Sequence, residues 1–231
     1  MSDLSFVILI PAYNEEKDIN RVVNGAKKYS RGLVVVDDGS VDKTAEEARQ
    51  VGAFVLKHDK NLGKGAALKT GFEYILKNFP EAQAVITLDA DGQHDPAEIP
   101  KFIEAFQKTG ADLILGERFL NRRKMPFLRR IGNRFVSWLV SRKIGQKIFD
   151  SQSGFRLFSR KFLKNFNPKS SGYGVETEII LTAARVGFKI NTLPVSAIYL
   201  NGKSINFLKD LRITVSILKI IFDRQNYVLR I

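Results

Sequence analysis

Three times in its first half the chain runs through branched apolar residues and then stops on acid. Phe6 to Ile10 gives way to Pro11 and then Tyr13-Asn14-Glu15-Glu16. Leu33 to Val36 ends in Asp37-Asp38-Gly39-Ser40, and Val85 to Leu88, within "VITLDADGQH", ends in Asp89 and Asp91. Continuous apolar runs of this kind suit strands buried on both faces, as in a parallel sheet covered by helices. Aspartate is a poor strand former, so acids at a strand's carboxyl end belong to a mouth rather than a core. Open α/β sheets place their ligands there.

Helical segments fall between the strands. Asn14, Glu15 and Glu16 open a helix reaching about Tyr29, with acids placed for its dipole. Ser40 or Asp42 caps a second helix over about 43–51. "AFVLKH" is a third strand. "NLGKGAALKTGFEYIL" is a glycine turn entering a helix; its glycines allow the backbone close to a ligand, and Lys64 is placed to meet phosphate, although the Walker spacing is absent. A helix from about Pro96 to Lys108 and a fifth strand, "ADLILGERF", complete a mostly parallel, doubly wound α/β sheet over the first 118 residues. Right-handed crossovers bring Tyr13-Asn14-Glu15, Asp37-Asp38, Lys64 and Asp89-Asp91 to one edge. Asp89 and Asp91, with the Gln93 amide beside them, offer hard oxygen donors suited to Mg2+ or Mn2+ and unsuited to zinc. Taken alone, the acid triplet also fits a solvated turn capped at Asp95-Pro96.

Residues 119–149 change character. Drawn as a helix, "FLRRIGNRFVSWLVSRKIGQKIF" sets Phe127, Ile131, Phe135, Trp138 and Leu139 on one side, with Arg129, Arg130, Arg134, Arg142 and Lys143 largely elsewhere. Such helices lie in lipid interfaces; a core-packed helix with exposed arginines has the same pattern. "DSQSGFRLFSR" gives a turn and a short strand. A helix follows from about Val175 to Val186, where the dipole accounts for Glu176 and less well for Glu176 and Glu178 together. "KINTLPVSAIYL" is a strand, and the tail from Ser204 is a basic helix with one apolar side. Net charge is +13, from 37 basic and 24 acidic residues, and the excess lies after residue 117. An anionic partner follows: a near-balanced front half and a basic back half fit an enzyme docking on a negative surface better than a nucleic-acid binder. The chain has no cysteine and two histidines, which excludes disulfides, thiolate metal sites and a histidine-built metal site. No run of about 18 apolar residues and no signal peptide is present, so no membrane span is expected.

With "IPAYNE", "VVVDDGSVDKT", "NLGKGAALKTG", "LDADGQH", "GERF" and "DSQSGFRLF" in this order, the chain resembles the family 2 glycosyltransferases of GT-A fold, a Rossmann-like sheet flanked by helices. Within them it is most similar to the polyprenyl-phosphate enzymes, the dolichyl-phosphate mannose and glucose synthases. The resemblance covers nearly the whole chain and weakens after about residue 170. It implies that Pro11, Tyr13, Asn14, Glu15, Val36, Asp37 and Asp38 hold the nucleotide, with Lys64. Asp89, Ala90 and Asp91 would line the donor diphosphate, Asp91 and Gln93 would ligate the metal, and Arg118, Arg129 and Asn133 would receive a lipid phosphate. Asp89, Asp91 and Arg118 form the implied catalytic set. The family's "RxxGxSK" segment is here "YLNGKSIN", with Tyr199 and Ile205 where basic residues are frequent and Lys203 standing in for them. The implied organisation is a catalytic domain over 1–205, divided into a nucleotide-sugar half at 1–118 and an acceptor half at 119–205, then a C-terminal amphipathic helix at 206–231.

The implied reaction transfers mannose or glucose from a GDP-mannose or UDP-glucose class donor to a polyprenyl phosphate, with inversion and with Mg2+ or Mn2+. A phosphate acceptor needs no strong base. A sugar hydroxyl acceptor on a cell-surface glycan, the alternative, needs one, for which Asp150 and Glu178 are the candidates. A non-enzymatic polyanion-binding domain would ignore the acidic rim, and a nucleotidyltransferase would open on a basic glycine-rich turn where this chain has "PAYNEE". The expected location is cytoplasmic, peripheral on the inner face of an anionic membrane through 127–149 and 207–231, with no nucleic-acid partner.

Overall fold

The computed structural model describes residues 5–120, 127–198 and 207–222, with side chains described outside 119–120, 127–129 and 207–214. Among these residues a seven-stranded sheet has the order β3-β2-β1-β4-β6-β5-β7. The strands are β1 (Phe6–Ala12), β2 (Gly32–Asp37), β3 (Phe54–Lys57), β4 (Ala84–Thr87), β5 (Leu113–Leu120), β6 (Arg156–Ser159) and β7 (Ile190–Ser196). All neighbours are parallel except β6, which runs antiparallel to both β4 and β5. Successive residues of β1 serve opposite faces. Val7 and Leu9 belong to a core shared with α3 (Lys64–Asn78), α5 (Phe127–Ile144), α6 (Arg160–Asn165), α7 (Val175–Val186) and α8 (Phe207–Phe222). Phe6, Ile8 and Ile10 meet α1 (Ile19–Ala26), α2 (Thr44–Gln50) and α4 (Ile99–Thr109). Burial on both faces explains why the strands read as unbroken apolar runs.

From β1 the chain winds outward through β2 to β3 and then returns to lay β4 on the other side of β1. This reversal opens a crevice at the carboxyl ends of β1 and β4, where parallel sheets bind ligands. The register pairs Ala12 with Asp37 and Leu9 with Thr87, so the acids that follow β2 and β4 flank the end of β1.

Several local expectations are corrected. The first helix begins at Ile19, not Asn14. Asn14 has φ 54, and the N–H groups of Asn14, Glu15 and Glu16 donate to Ser40 Oγ, Thr44 Oγ1 and Asp42 Oδ2 at 2.9, 2.8 and 3.2 Å. Donors taken by a distant loop leave residues 13–18 as a turn. Asp42 accepts the Thr44 N–H at the start of α2, while Ser40 is spent on Asn14. Helix α5 stops at Ile144, with Gly145 at φ 70. It buries Val136 and Val140, leaving Ile131, Phe135 and Trp138 of the aromatic stripe 49%, 48% and 53% exposed. The tail helix α8 packs Ile217 and Ile221 into the core beside α5 and α7. Helix α6, which the sequence reading lacked, starts where Ser159 Oγ accepts the Phe162 N–H.

Candidate active site

The loop after β1 is stitched to the loop after β2. Besides the three N–H bonds to Ser40, Asp42 and Thr44, Asn14 Oδ1 accepts the Val41 N–H at 3.0 Å and Glu16 Oε2 accepts the Lys43 N–H at 3.1 Å. Tyr13 stands exposed on this rim. Asp37 is fully buried, accepting the Ser40 N–H on Oδ1 with Lys57 Nζ 3.6 Å from Oδ2. Asp38 Oδ1 lies 2.7 Å from His58 Nδ1 and accepts the Leu62 N–H, and Oδ2 accepts the Gly63 N–H. The Asp38 carboxylate therefore faces its own chain and shapes residues 58–63, where the sequence suggested a nucleotide contact. The Val36 side chain is fully buried in the core, which leaves only its backbone for a ligand.

At the end of β4 the charges are densely paired. Lys64 Nζ lies 2.5 Å from Asp89 Oδ1 and 2.7 Å from Glu176 Oε1. His94 Nε2 lies 3.2 Å from Asp89 Oδ2. Burial alone would raise the Asp89 pKa, but the Lys64 ammonium and His94 outweigh it and hold the carboxyl well below the usual range. Burial alone would lower the Lys64 pKa, but Asp89 and Glu176 raise it further above its ordinary value. Gly154 packs directly on Asp89, and any Cβ there would collide with the carboxylate. Pro11, Lys64, Thr87, Gly154, Arg156 and Glu176 line a cavity of about 10 Å3. Arg156 is buried and donates to the carbonyls of Ser151, Ser153 and Glu176; desolvation pushes its pKa down to about 10.

Lys64 thus serves two carboxylates, not an open phosphate site. The glycines before and after it permit a close approach, but to the chain itself: a Cβ at Gly63 or Gly65 would strike the carbonyls of Ser171 or Ser170, and the Gly65 N–H donates to Ser171 O at 2.6 Å. Glu178 fastens this covering loop, accepting the Lys169 and Ser170 N–H groups at 2.8 Å each. Both Glu178 oxygens are thus engaged in clamping this loop.

Asp91 is half-buried beside buried Ala90, and its Oδ1 accepts the Gln93 N–H at 3.0 Å. Among the described residues no cluster of three or more His, Asp or Glu side chains could hold a metal unaided. Asp91 and the Gln93 amide supply two hard oxygens. That donor set fits Mg2+ or Mn2+, which are held by one or two protein oxygens with substrate phosphates and water completing the shell.

On the far side of the crevice, Asp150 is 1% exposed and receives Arg118 Nε at 2.6 Å and Nη2 at 3.1 Å, with Asn133 Nδ2 at 2.9 Å. Burial raises its pKa, but the Arg118 guanidinium and Asn133 hold it well below the ordinary carboxylate value. In this structure the carboxylate serves as the anchor of Arg118 and Asn133. Arg118 and Asn133 do come together as expected, around Asp150. The Arg129 side chain and Lys203 lie outside the described residues. The sequence reading did not single out His94, Gly154, Arg156 or a role for Glu176 beyond the dipole; a second acid in the first turn of α7 was the one available signal.

The family model for "Glycosyl transferase family 2" matches residues 7–166. A UDP-N-acetylglucosamine–dolichyl-phosphate N-acetylglucosaminyltransferase of Methanococcus voltae is 33% identical over 86% of this chain and 88% of its own. A dolichyl-phosphate beta-glucosyltransferase of Trichomonas vaginalis is 29% identical over 94% and 73%. Glucosyl-3-phosphoglycerate synthase from Mycobacterium tuberculosis, solved with Mg2+ and uridine diphosphate, superposes with a TM-score of 0.78 at 20% identity, covering 99% of this chain and 82% of that one. The architecture is the GT-A fold.

Proposed function

We propose that this chain, which belongs to glycosyltransferase family 2, moves mannose or glucose from a nucleotide diphosphate sugar of the GDP-mannose or UDP-glucose class to a polyprenyl phosphate, inverting the anomeric carbon. The observation that carries the reading is the crevice where residues 13–16, 37–42 and 88–94 meet around Asp89 and Asp91 at the carboxyl ends of β1, β2 and β4. The names of the two dolichyl-phosphate relatives support the acceptor class.

In this reading Tyr13, Asn14, Glu15 and Asp37 border the nucleotide, and Asp89 borders the diphosphate. Asp91 and Gln93 would hold Mg2+ or Mn2+, which when bound offsets charge on the leaving diphosphate. Arg118, fixed by Asp150, which Asn133 holds in turn, sets positive charge on the acceptor side. An acceptor phosphate oxygen attacks the anomeric carbon opposite the leaving group. One C–O bond forms as the sugar–diphosphate C–O bond breaks, and that electron pair leaves with the nucleoside diphosphate. No proton needs removing, because a phosphate monoester with a second pKa near ~6 is largely dianionic at neutral pH. The engagement of both Asp150 and Glu178 favours this acceptor over a sugar hydroxyl, which would need a base.

Membrane attachment belongs to the same reading. Ile131, Phe135 and Trp138 lie exposed along α5, Phe135 stacks on Trp138 at 6.1 Å, and Arg142 sits 5.6 Å over the Trp138 ring. Exposed aromatics with flanking arginines suit an anionic lipid interface, here the inner face of the membrane. Among the described residues no helix is long and apolar enough to cross a membrane. The test is a panel of nucleotide sugars against short polyprenyl phosphates with Mg2+ or Mn2+, followed by product mass. A glycosylated polyprenyl phosphate is expected; donor turnover with glycan acceptors only would overturn the lipid reading.

A further inference from the structure

Asp89 is gripped at both oxygens and from behind, by Lys64 at Oδ1, His94 at Oδ2 and the Gly154 backbone. Glu176 stands behind the Lys64 side of that grip. It is 3% exposed, and among the described residues neither of its oxygens has a hydrogen bond; its ion-pair partner is the Lys64 ammonium at 2.7 Å, with the buried Arg156 guanidinium the other positive charge acting on it. A buried carboxylate without hydrogen-bond donors is costly unless a cation sits on it. The α7 dipole does not account for the cost, since Glu178 in the same turn already supplies an acid. Lys64 has no slack to spare: it is the first residue of α3, and the backbone on either side is pressed against the loop at Ser170 and Ser171.

We infer that Glu176 is a positioning residue for sugar transfer, anchoring the Lys64 ammonium from within so that Asp89 meets the donor in one orientation. The inference rests on the proposed function, in which Asp89 borders the donor diphosphate. Lys64 is then a strut between two carboxylates and not a phosphate ligand. The ammonium donates to Asp89 and is drawn to the Glu176 carboxylate on its other side, and the two negative charges together define where Nζ stands. With Glu176 removed, Nζ keeps Asp89 Oδ1 alone, and only His94 and the Gly154 backbone still hold that carboxylate in place. Displacement of a reacting group by about 1 Å costs on the order of 10²-fold in rate. The loss appears in turnover, because the acceptor side, built from Arg118, Asn133 and Asp150, is untouched.

The test is a mutant cycle of Glu176→Gln, Lys64→Met and the double variant, with melting temperature, kcat and acceptor KM measured on each. Glu176→Gln is expected to lower kcat by about 10-fold or more with acceptor KM within about twofold. Because Glu176 acts through Lys64, adding Glu176→Gln to Lys64→Met should bring no further loss of kcat. Wild-type turnover in Glu176→Gln, or losses that multiply in the double variant, would overturn the inference. If Glu176→Gln does not fold, Glu176→Asp, which withdraws the carboxylate by one methylene, takes its place and the same outcomes decide. A wild-type enzyme that glycosylates no polyprenyl phosphate defeats the proposed function instead, so the two failures are distinguishable.

Discussion

Replacing Asp150 with asparagine separates a structural carboxylate from a chemical one. The wild-type carboxylate is buried and takes three bonds from Arg118 (Nε, Nη2 and the backbone N–H), one from Asn133 and the Gln152 N–H. Removing one partner of a buried pair costs about 3–5 kcal/mol, because the other charge is stranded. Asparagine keeps one oxygen for the guanidinium, so the low end applies. At about 2–4 °C per kcal/mol for a chain of this size, about 3 kcal/mol lowers Tm by about 6–12 °C. The pH dependence follows from the lowered carboxyl pKa of Asp150. A group depressed on folding adds stability that is complete above its unfolded value, near ~3.9, and is lost as the pH falls through the folded value. The Tm gap between wild type and Asp150→Asn should therefore be full at neutral pH and narrow in acid below about 4. The assay is thermal melting across pH, paired with turnover well below the variant's Tm. Retained turnover with a raised acceptor KM is expected, since Arg118 loses its anchor. An unchanged Tm with turnover abolished would refute the account and return Asp150 to the role of base, and with it the sugar hydroxyl acceptor.

Three further outcomes follow from the same geometry. Asp91→Asn should lower kcat on the order of 10²-fold with little change in Tm, because among the described residues Asp91 Oδ1 holds only the Gln93 N–H; rates across a Mn2+ titration check it. Glu178→Gln should cost about 1–3 kcal/mol by leaving one loop N–H poorly paired while turnover stays near wild type, read by melting and initial rates. Combined Phe135→Ala and Trp138→Ala should abolish sedimentation with anionic liposomes at low salt while stability changes by no more than about 0.5 kcal/mol per exposed site; wild-type protein left in the supernatant would contradict the docking surface.

The middle of the sheet was readable because β1, β2 and β4 are buried on both sides. Val7 and Leu9 answer one core, Ile8 and Ile10 the other, and no polar residue interrupts them. The crevice was readable for the complementary reason: acids cannot continue such strands. What failed to show was the detail governed by distant partners. Nothing near Asn14 reveals that Ser40, Asp42 and Thr44 take the N–H groups a helix would need. The glycines around Lys64 announced a close approach without saying to what, and the answer, Ser170 and Ser171, lies a hundred residues on. Glu176 and Glu178 are interchangeable to the helix dipole, and only the tertiary structure sends one to Lys64 and the other to the loop at Lys169. Four-residue β6 was placed as a short strand, but its antiparallel insertion between β4 and β5 leaves no mark in "RLFS".

A crevice lined with acids is an odd receptacle for a diphosphate unless those acids are already neutralised. Asp37 has Lys57 beside it and the Ser40 N–H; Asp38 has His58 and two loop N–H groups. Lys64 spans Asp89 and Glu176, and Arg118 covers Asp150. Lys57 and Arg118 each offset one acid, Lys64 is shared by Asp89 and Glu176, and Asp38 is held by hydrogen bonds, so the field these acids send to the mouth is reduced. Asp91 differs from these: among the described residues it has one N–H donor and no ion pair. An uncompensated, half-buried carboxylate is where a divalent cation gains most and a bare diphosphate gains least. If that contrast governs binding, nucleoside diphosphate should bind wild-type protein far more tightly with Mn2+ than without, and Asp91→Asn should shrink the difference by strengthening metal-free binding as well as weakening the metal-dependent kind. Calorimetry on both proteins decides it, because loss of the metal-dependent part alone would mean that Asp91 is a ligand whose charge does not otherwise repel the donor.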